Sequence, residues 1–203
     1  MLGAVIGDIA GSRFEFDNYR HTDFDIFSPD SDFTDDTICT VAIADWVLQD
    51  CNDNLTSTLQ GWCRAYPCPK GAYGGRFSQW IEWKDPEPYN SWGNGSAMRV
   101  SAVGWAFASL EETLHFAEQS AIVTHNHPEG IKGAQAVAAA IFWARTGMEK
   151  AQIKENITRQ FGYDLSQSCD QIRPHYHFNE SCQETVPQAI TAFLESDDFE
   201  HAI

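Results

Sequence analysis

Four consecutive polar residues, Thr34-Asp35-Asp36-Thr37, form a cluster of oxygen ligands. Apolar residues at helical spacing follow them, so the four residues open a helix. Carboxylate and hydroxyl oxygens are the ligands that Mg²⁺, Mn²⁺ and Ca²⁺ prefer. The same residues also suit a helix start that binds nothing, because threonine caps a helix and first-turn acids complement its dipole. These four residues alone leave both interpretations open, and capping is the commoner one.

Two further carboxylates lie near the N-terminus, in the segment Gly7-Asp8-Ile9-Ala10-Gly11-Ser12 and at Glu15. Glycines spaced by four residues in this segment indicate a helix that packs closely, so the structural interpretation is a buried N-terminal helix. Buried carboxylates are costly unless they are paired or used. A half-buried Glu15 with a raised pKa would be a natural general acid or base.

A third segment, Trp92-Gly93-Asn94-Gly95-Ser96-Ala97-Met98-Arg99, places a glycine-rich turn before a helix. Consecutive backbone N–H groups in such a turn can bind an anion at the helix start. Gly-Asn-Gly also makes ordinary turns, so the pattern is weak by itself.

The segment Thr124-His125-Asn126-His127-Pro128-Glu129-Gly130 opens an alanine-rich helix. Its two histidines lack a nearby third ligand, so we do not expect zinc. A histidine that donates to a ligand or stacks on it fits better, and a loop histidine satisfied by backbone groups is the alternative. The histidines of residues 173–178 fit no standard zinc spacing and are interpreted as packing residues.

The periodic segments are helical, and no alternating run indicates a strand, so the predicted class is all-α. Val100–Ala121 predicts one or two helices, and Ile131–Arg145 predicts a central buried helix. Thr185–Ser196 predicts another helix with Pro187 in its first turn, and Ser196 is predicted to cap a further one.

The stretch from Tyr66 to Gly95 contains four prolines and five glycines, which predict one long loop. Five of its aromatic side chains argue that the loop is ordered and packed: Tyr73, Phe77, Trp80, Trp83 and Trp92.

Length and charge limit the possible classes of protein. The chain has 203 residues, which suits one domain over 1–203. Its net charge of -16 argues against a nucleic-acid duplex or an anionic membrane as the partner. No run is apolar enough to span a membrane, and the six cysteines form no disulfide framework, so we expect reduced thiols and a cytoplasmic protein.

Taken in order, GAVIGDIAGSRFE, FTDDT, WGNGSAMRV and THNHPEGIKGAQA resemble the ADP-ribosylglycohydrolase family, the DraG-like hydrolases. The resemblance covers essentially the whole chain. It implies a compact multi-helix bundle with a pair of Mg²⁺ or Mn²⁺ ions. The implied reaction is hydrolysis of the glycosidic bond between ADP-ribose and a protein side chain or small acceptor, by an activated water.

Position by position, the resemblance makes Thr34, Asp35 and Asp36 metal ligands, and it gives Glu15 and Asp36 catalytic roles. Asp8 is implied to support these ligands. The implied substrate-binding residues come from two of the segments: Asn94, Gly95, Ser96, Met98 and His125.

The family also carries a second acidic motif, Asp-x-Asp-Thr, in helices beyond the point where this chain ends. That motif completes the dinuclear site, and none follows Thr124 here. We therefore expect a C-terminally shortened domain with half of the metal site, holding one ion or none unless another chain supplies ligands. Exposed apolar surface would then favour a homo-oligomer or exchange of elements between copies.

Two alternatives to an active hydrolase stay open. The first is a catalytically impaired relative that binds ADP-ribose or metal, and the second is a helical scaffold with a vestigial pocket. The residues do not choose between Mg²⁺ and Mn²⁺, nor among arginine, serine, a nucleobase and an O-acyl group as the acceptor.

Overall fold

The computed structural model describes residues 1–203 as helices and connecting segments without a sheet, which confirms the all-α prediction. Two isolated bridges, Thr34 with Lys70 and Gly93 with Ser181, are the only extended pairings. None of the helices is long and apolar enough to cross a membrane. The twelve helices in chain order are α1 (Leu2–Gly11), α2 (Asp35–Leu48), α3 (Leu55–Ala65), α4 (Gly75–Glu82), α5 (Gly95–Met98), α6 (Ser101–Ala106), α7 (Leu110–Ile122), α8 (Pro128–Arg145), α9 (Lys150–Phe161), α10 (Cys169–Ile172), α11 (Cys182–Glu195) and α12 (Phe199–Ala202).

Helix α8 is the centre of the bundle and packs against α5, α6, α7, α9 and α11. His127 caps its start, because the imidazole Nδ1 accepts a hydrogen bond from the Glu129 N–H at 3.1 Å. Small side chains let the neighbouring helices approach closely. A Cβ at Gly133 would collide with the Cys182 thiol of α11, so this position requires glycine. The predicted central buried helix is confirmed.

Three clusters of buried apolar side chains stabilise the bundle. One lies among α8, α9 and α11, and a second lies among α2, α6, α7 and α8. The third packs α2 against α3 and α4 directly beneath the Thr34–Thr37 segment. All six cysteines are unbonded.

The prediction of one continuous loop from Tyr66 to Gly95 was wrong, because α4 lies inside it. Phe77, Trp80 and Ile81 of α4 are buried at helical spacing in the third cluster. Glycines before this short helix and prolines after it masked the pattern in the sequence. The prediction that the aromatic residues of this stretch are packed is confirmed for Phe77 and Trp80.

The predicted C-terminal elements were misplaced by a few residues. Helix α11 begins at Cys182, so Pro187 lies inside the helix and not in its first turn. Ser196 ends α11, where its hydroxyl donates to the Phe193 carbonyl at 2.8 Å. Asp198 caps α12 instead, accepting from the His201 N–H at 2.8 Å.

Candidate active site

The sequence-predicted residues meet at one large cavity of about 760 Å³. Its size falls within the range of small-molecule and cofactor sites. The cavity lies between α1, the starts of α2, α4 and α5, and the segment around His125. Eight of the nine predicted residues line it: Glu15, Thr34, Asp35, Asp36, Asn94, Gly95, Met98 and His125.

Ser96 is the predicted residue that does not line the cavity. It is fully buried, and its hydroxyl donates to the Gly130 carbonyl at 2.7 Å. That hydrogen bond ties the glycine-rich turn to the first turn of α8. The structure therefore gives Ser96 a structural contact behind the cavity wall.

Asp8 organises the start of α2. Its carboxylate accepts the N–H of Thr34 at 2.9 Å and of Thr37 at 3.2 Å, together with both threonine hydroxyls at 2.6 and 2.5 Å. Thr34 also caps α2, because its Oγ1 accepts the Asp36 N–H at 3.2 Å. The hydroxyls are thus engaged by Asp8, and the carboxylates of Asp35 and Asp36 receive no hydrogen bond from any side chain.

Mutual repulsion and burial shift the carboxyl groups at this end of the cavity. Burial, followed by the charges of Glu15 and Asp8, raises the pKa of Asp35 to about 7. The pKa of Asp36 lies well above its ordinary value, because of burial and then the charge of Asp35. Burial also raises the pKa of Glu15, helped by Asp8 and Glu180 and opposed by Lys70.

The donor set at this end fits a hard divalent cation, because carboxylate oxygens without a side-chain partner are ligands that Mg²⁺ and Mn²⁺ bind. Asp35 and Asp36 supply the charged oxygens of such a site. Three or more histidine, cysteine or acidic side chains do not converge on a common point anywhere in the structure.

The glycine-rich turn offers fewer free N–H groups than the sequence predicts. The Gly93 N–H donates to Ser91 Oγ at 3.1 Å, and the Asn94 N–H donates to the Glu180 carbonyl at 2.6 Å. Both groups are therefore unavailable to an anion. Gly95 is required for packing, since a Cβ there would lie 3.0 Å from the His125 imidazole.

The two neighbouring histidines, His125 and His127, diverge. His127 caps α8 and its ring lies 5.7 Å from that of Trp92. His125 is 5% exposed and lines the cavity. Burial first, and then the cations Arg99 and Arg76, hold the pKa of His125 well below its ordinary value. The imidazole of His125 is therefore neutral at pH 7.

Sequence reasoning missed Arg76, Tyr89 and Glu180, all of which line the cavity. The Arg76 guanidinium lies over the Tyr89 ring, 4.8 Å from its centroid, and donates to the Tyr89 carbonyl. Arg76 belongs to the unpredicted helix α4, and no local pattern marks Glu180. Arg99 and Arg76 are the cations that act on His125.

Two relatives are ADP-ribosylhydrolases of vertebrates. An ADP-ribosylhydrolase ARH3 of Xenopus tropicalis is 26% identical over 175 residues, which cover 72% of this chain and 49% of that protein. The ADP-ribosylhydrolase ARH3 of Mus musculus is 37% identical over 62 residues, or 30% of this chain and 17% of that protein. The chain therefore spans about half the length of the Xenopus relative, and less of the mouse one.

A solved structure, described as an ADP-ribosylglycohydrolase-related protein complex, shares the fold. It superposes with a TM-score of 0.70 at 22% identity and covers 99% of this chain and 76% of its own. The sequence model described as ADP-ribosylglycohydrolase matches residues 1–203. This chain belongs to the ADP-ribosylglycohydrolase family.

Proposed function

We propose that the cavity hydrolyses the glycosidic bond between ADP-ribose and an acceptor, either a protein side chain or a small molecule. The observation that carries this proposal is the polarity of the cavity. Its lining contains two groups of charges: mutually repelling carboxyl groups of Asp8, Glu15, Asp35 and Asp36, here called the carboxylate end, and the cations Arg76 and Arg99 that act on His125, here called the basic end. Such an arrangement suits a ligand with an anionic diphosphate at one end and a reacting ribose at the other.

The carboxylate end would hold the cation. Asp35 and Asp36 would bind Mg²⁺ or Mn²⁺, and Asp8 would keep the start of α2 in place through its hydrogen bonds to Thr34 and Thr37. A bound ion would supply Lewis-acid polarisation and lower the pKa of a water molecule.

Glu15 is the proposed proton-transfer group. One of its carboxylate oxygens, Oε2, is buried without a hydrogen-bond partner, and its pKa is raised. A carboxyl group in this state exchanges protons near neutral pH more readily than an exposed one. Glu15 would take a proton from the attacking water or give one to the departing acceptor, as carboxyl groups do in glycoside hydrolysis.

The basic end would hold the diphosphate. A protein with a net charge of -16 repels an anionic ligand at long range, so local cations are needed at the site. Arg76 presents a planar guanidinium of the kind that recognises phosphate. His125 adds a neutral hydrogen-bonding group beside it.

A second candidate function is binding of ADP-ribose without turnover. It is favoured by the absence of a third acidic, histidine or cysteine ligand converging with Asp35 and Asp36. Both functions use the same basic end of the cavity. They differ in whether Asp35 and Asp36 at the carboxylate end form a working cation site.

Titration calorimetry with ADP-ribose tests ADP-ribose binding, which both candidate functions require. We expect saturable binding that Arg76→Met weakens by roughly tenfold, as removal of a charged hydrogen bond does. Arg159→Met is the matched control, because Arg159 is exposed on α9 and remote from the cavity lining. Binding with no release of ADP-ribose from ADP-ribosylated substrates would favour the second function. Absence of binding would contradict both.

A further inference from the structure

A buried chain of polar side chains leads from the core to His125. Arg99 is 1% exposed, and its Nη2 donates to the Ser120 carbonyl at 2.8 Å and to Thr124 Oγ1 at 2.9 Å. No carboxylate pairs with this guanidinium, and its Nε has no partner. A buried cation with only neutral partners destabilises the fold, which indicates that the hydrogen bonds of Arg99 have a role beyond stability.

The hydroxyl of Thr124 is the middle of this chain. Thr124 is fully buried, and its Oγ1 lies 2.7 Å from His125 Nδ1. Arg99 has only donors, so Thr124 Oγ1 must accept from it. The single hydroxyl proton then has one available acceptor, His125 Nδ1, because Oγ1 has no other partner within hydrogen-bonding distance. Any other orientation would leave that proton buried and unpaired, at a cost of about 1–3 kcal/mol.

We propose that Arg99 and Thr124 are positioning residues that hold His125 as the tautomer with its hydrogen on Nε2. The other ring nitrogen, Nε2, makes no hydrogen bond within the protein. It lies beside the glycine-rich turn, 3.5 Å from where a Cβ on Gly93 would be and 3.0 Å from where a Cβ on Gly95 would be. His125 therefore presents a fixed N–H donor to the cavity. The matching ligand group is an oxygen acceptor, such as a phosphate or ribose oxygen.

Neighbouring charges agree with a neutral ring. The cations Arg99 and Arg76 face His125, and the Tyr89 ring packs beside it with centroids 6.1 Å apart. A second proton on the imidazole is disfavoured by both guanidinium groups and by burial. Exactly one nitrogen then carries hydrogen, and the Thr124 contact decides which one. His125 cannot accept a proton or bind a cation through Nε2 in this state.

The tautomer can be read directly by nitrogen NMR of the whole chain with ¹⁵N-labelled histidine. His125→Gln assigns the His125 signals among those of the seven histidines. We expect an Nδ1 shift typical of an unprotonated ring nitrogen and an Nε2 shift typical of a protonated one. The reverse pattern, or an average of the two, would overturn the assignment.

The positioning role is tested with a matched pair of variants. Thr124→Val keeps the shape of the side chain and removes the hydroxyl, whereas Thr124→Ser keeps the hydroxyl. We expect Thr124→Val to move the Nδ1 shift toward the average of two tautomers and to weaken ADP-ribose binding by roughly tenfold. Thr124→Ser should resemble the wild-type chain in both measurements. Unchanged shifts and affinity in a folded Thr124→Val chain would overturn the role of Thr124.

The affinity measurement rests on the proposed function, but the NMR measurement does not. If the wild-type chain fails to bind ADP-ribose, the proposed function fails, while the nitrogen shifts of wild type and Thr124→Val still decide the positioning role. A Thr124→Val chain that does not fold leaves the wild-type shifts as the deciding measurement.

Discussion

The Asp8 carboxylate accepts both the N–H of Thr34, at 2.9 Å, and the hydroxyl of Thr34, at 2.6 Å. These bonds join α1 to the start of α2, where the proposed cation ligands lie. The N–H and the hydroxyl of Thr37 donate two further hydrogen bonds to the same carboxylate. Asp8→Asn places an amide NH₂ where an oxygen accepted, so at least one donor loses its partner.

We expect Asp8→Asn to lower the free energy of unfolding by about 2 kcal/mol. Urea denaturation at pH 7.5 measures this change. Asp53→Asn, at an exposed position without side-chain hydrogen bonds, is the control and should change the free energy by less than about 0.5 kcal/mol. Equal effects in the two variants would contradict the structural role of Asp8.

Cation binding should depend on the protonation of Asp35. Its pKa of about 7 means that the carboxyl group is largely protonated at pH 6 and largely charged at pH 8. Mg²⁺ or Mn²⁺ must displace that proton, so either ion should raise the melting temperature more at pH 8 than at pH 6. Differential scanning fluorimetry with added ion or EDTA checks this without any substrate.

The matched variant for this experiment is Asp35→Asn, which should abolish the ion-dependent shift while Asp53→Asn keeps it. An ion-dependent shift of the same size in Asp35→Asn, or at both pH values, would show that the cation binds elsewhere.

His125 should make the fold less stable in acid. Its pKa in the folded chain lies well below the ordinary value near 6.5, so below that pH the unfolded chain binds a proton that the folded chain does not. The free energy of unfolding therefore falls as the pH drops below about 6.5. The His125 contribution to the free energy of unfolding is therefore expected to fall steadily as the pH is lowered from 6.5.

Many carboxyl groups titrate in the same range, so the difference between wild type and His125→Gln isolates this contribution. His115→Gln, at an exposed position, is the control for loss of a histidine side chain. A wild-type minus His125→Gln difference that stays constant from pH 7 to pH 5 would be incompatible with a neutral, buried His125.

Gly95 should be intolerant of a side chain. A methyl group there would lie 3.0 Å from both Cε1 and Nε2 of His125, so the imidazole must move. We expect Gly95→Ala to weaken ADP-ribose binding by roughly tenfold, comparable to the loss of one hydrogen bond to a charged ligand. Gly61→Ala is the control, since a Cβ at Gly61 meets no atom within 4 Å. Titration calorimetry of both variants decides the point.

Much of the fold follows from local pattern. The alanine-rich run that forms α8 and the capped start of α2 have signals that lie within a few residues, so sequence reasoning located both. Helix α4 was not predicted, because glycines and prolines flank a helix of only eight residues. Its apolar positions show a pattern only through their packing on α2 and α3.

The candidate site depends more on tertiary contacts. Glu180 reaches the cavity through its carbonyl contact with Asn94, which is distant in the sequence. Ser96 looks like a ligand-binding residue in its motif, yet it turns toward Gly130 of α8. Neither outcome can be read from spacing, because each is set by how α5, α8 and the segment before α11 meet.

The most direct test of the proposed function is release of ADP-ribose from a panel of ADP-ribosylated proteins and small molecules, with Mg²⁺ or Mn²⁺ and with EDTA. An active hydrolase predicts turnover that EDTA abolishes and that Asp35→Asn and Glu15→Gln reduce strongly, while Asp53→Asn leaves it unchanged. No release from any substrate with either ion, by a folded chain, would contradict hydrolysis by this cavity.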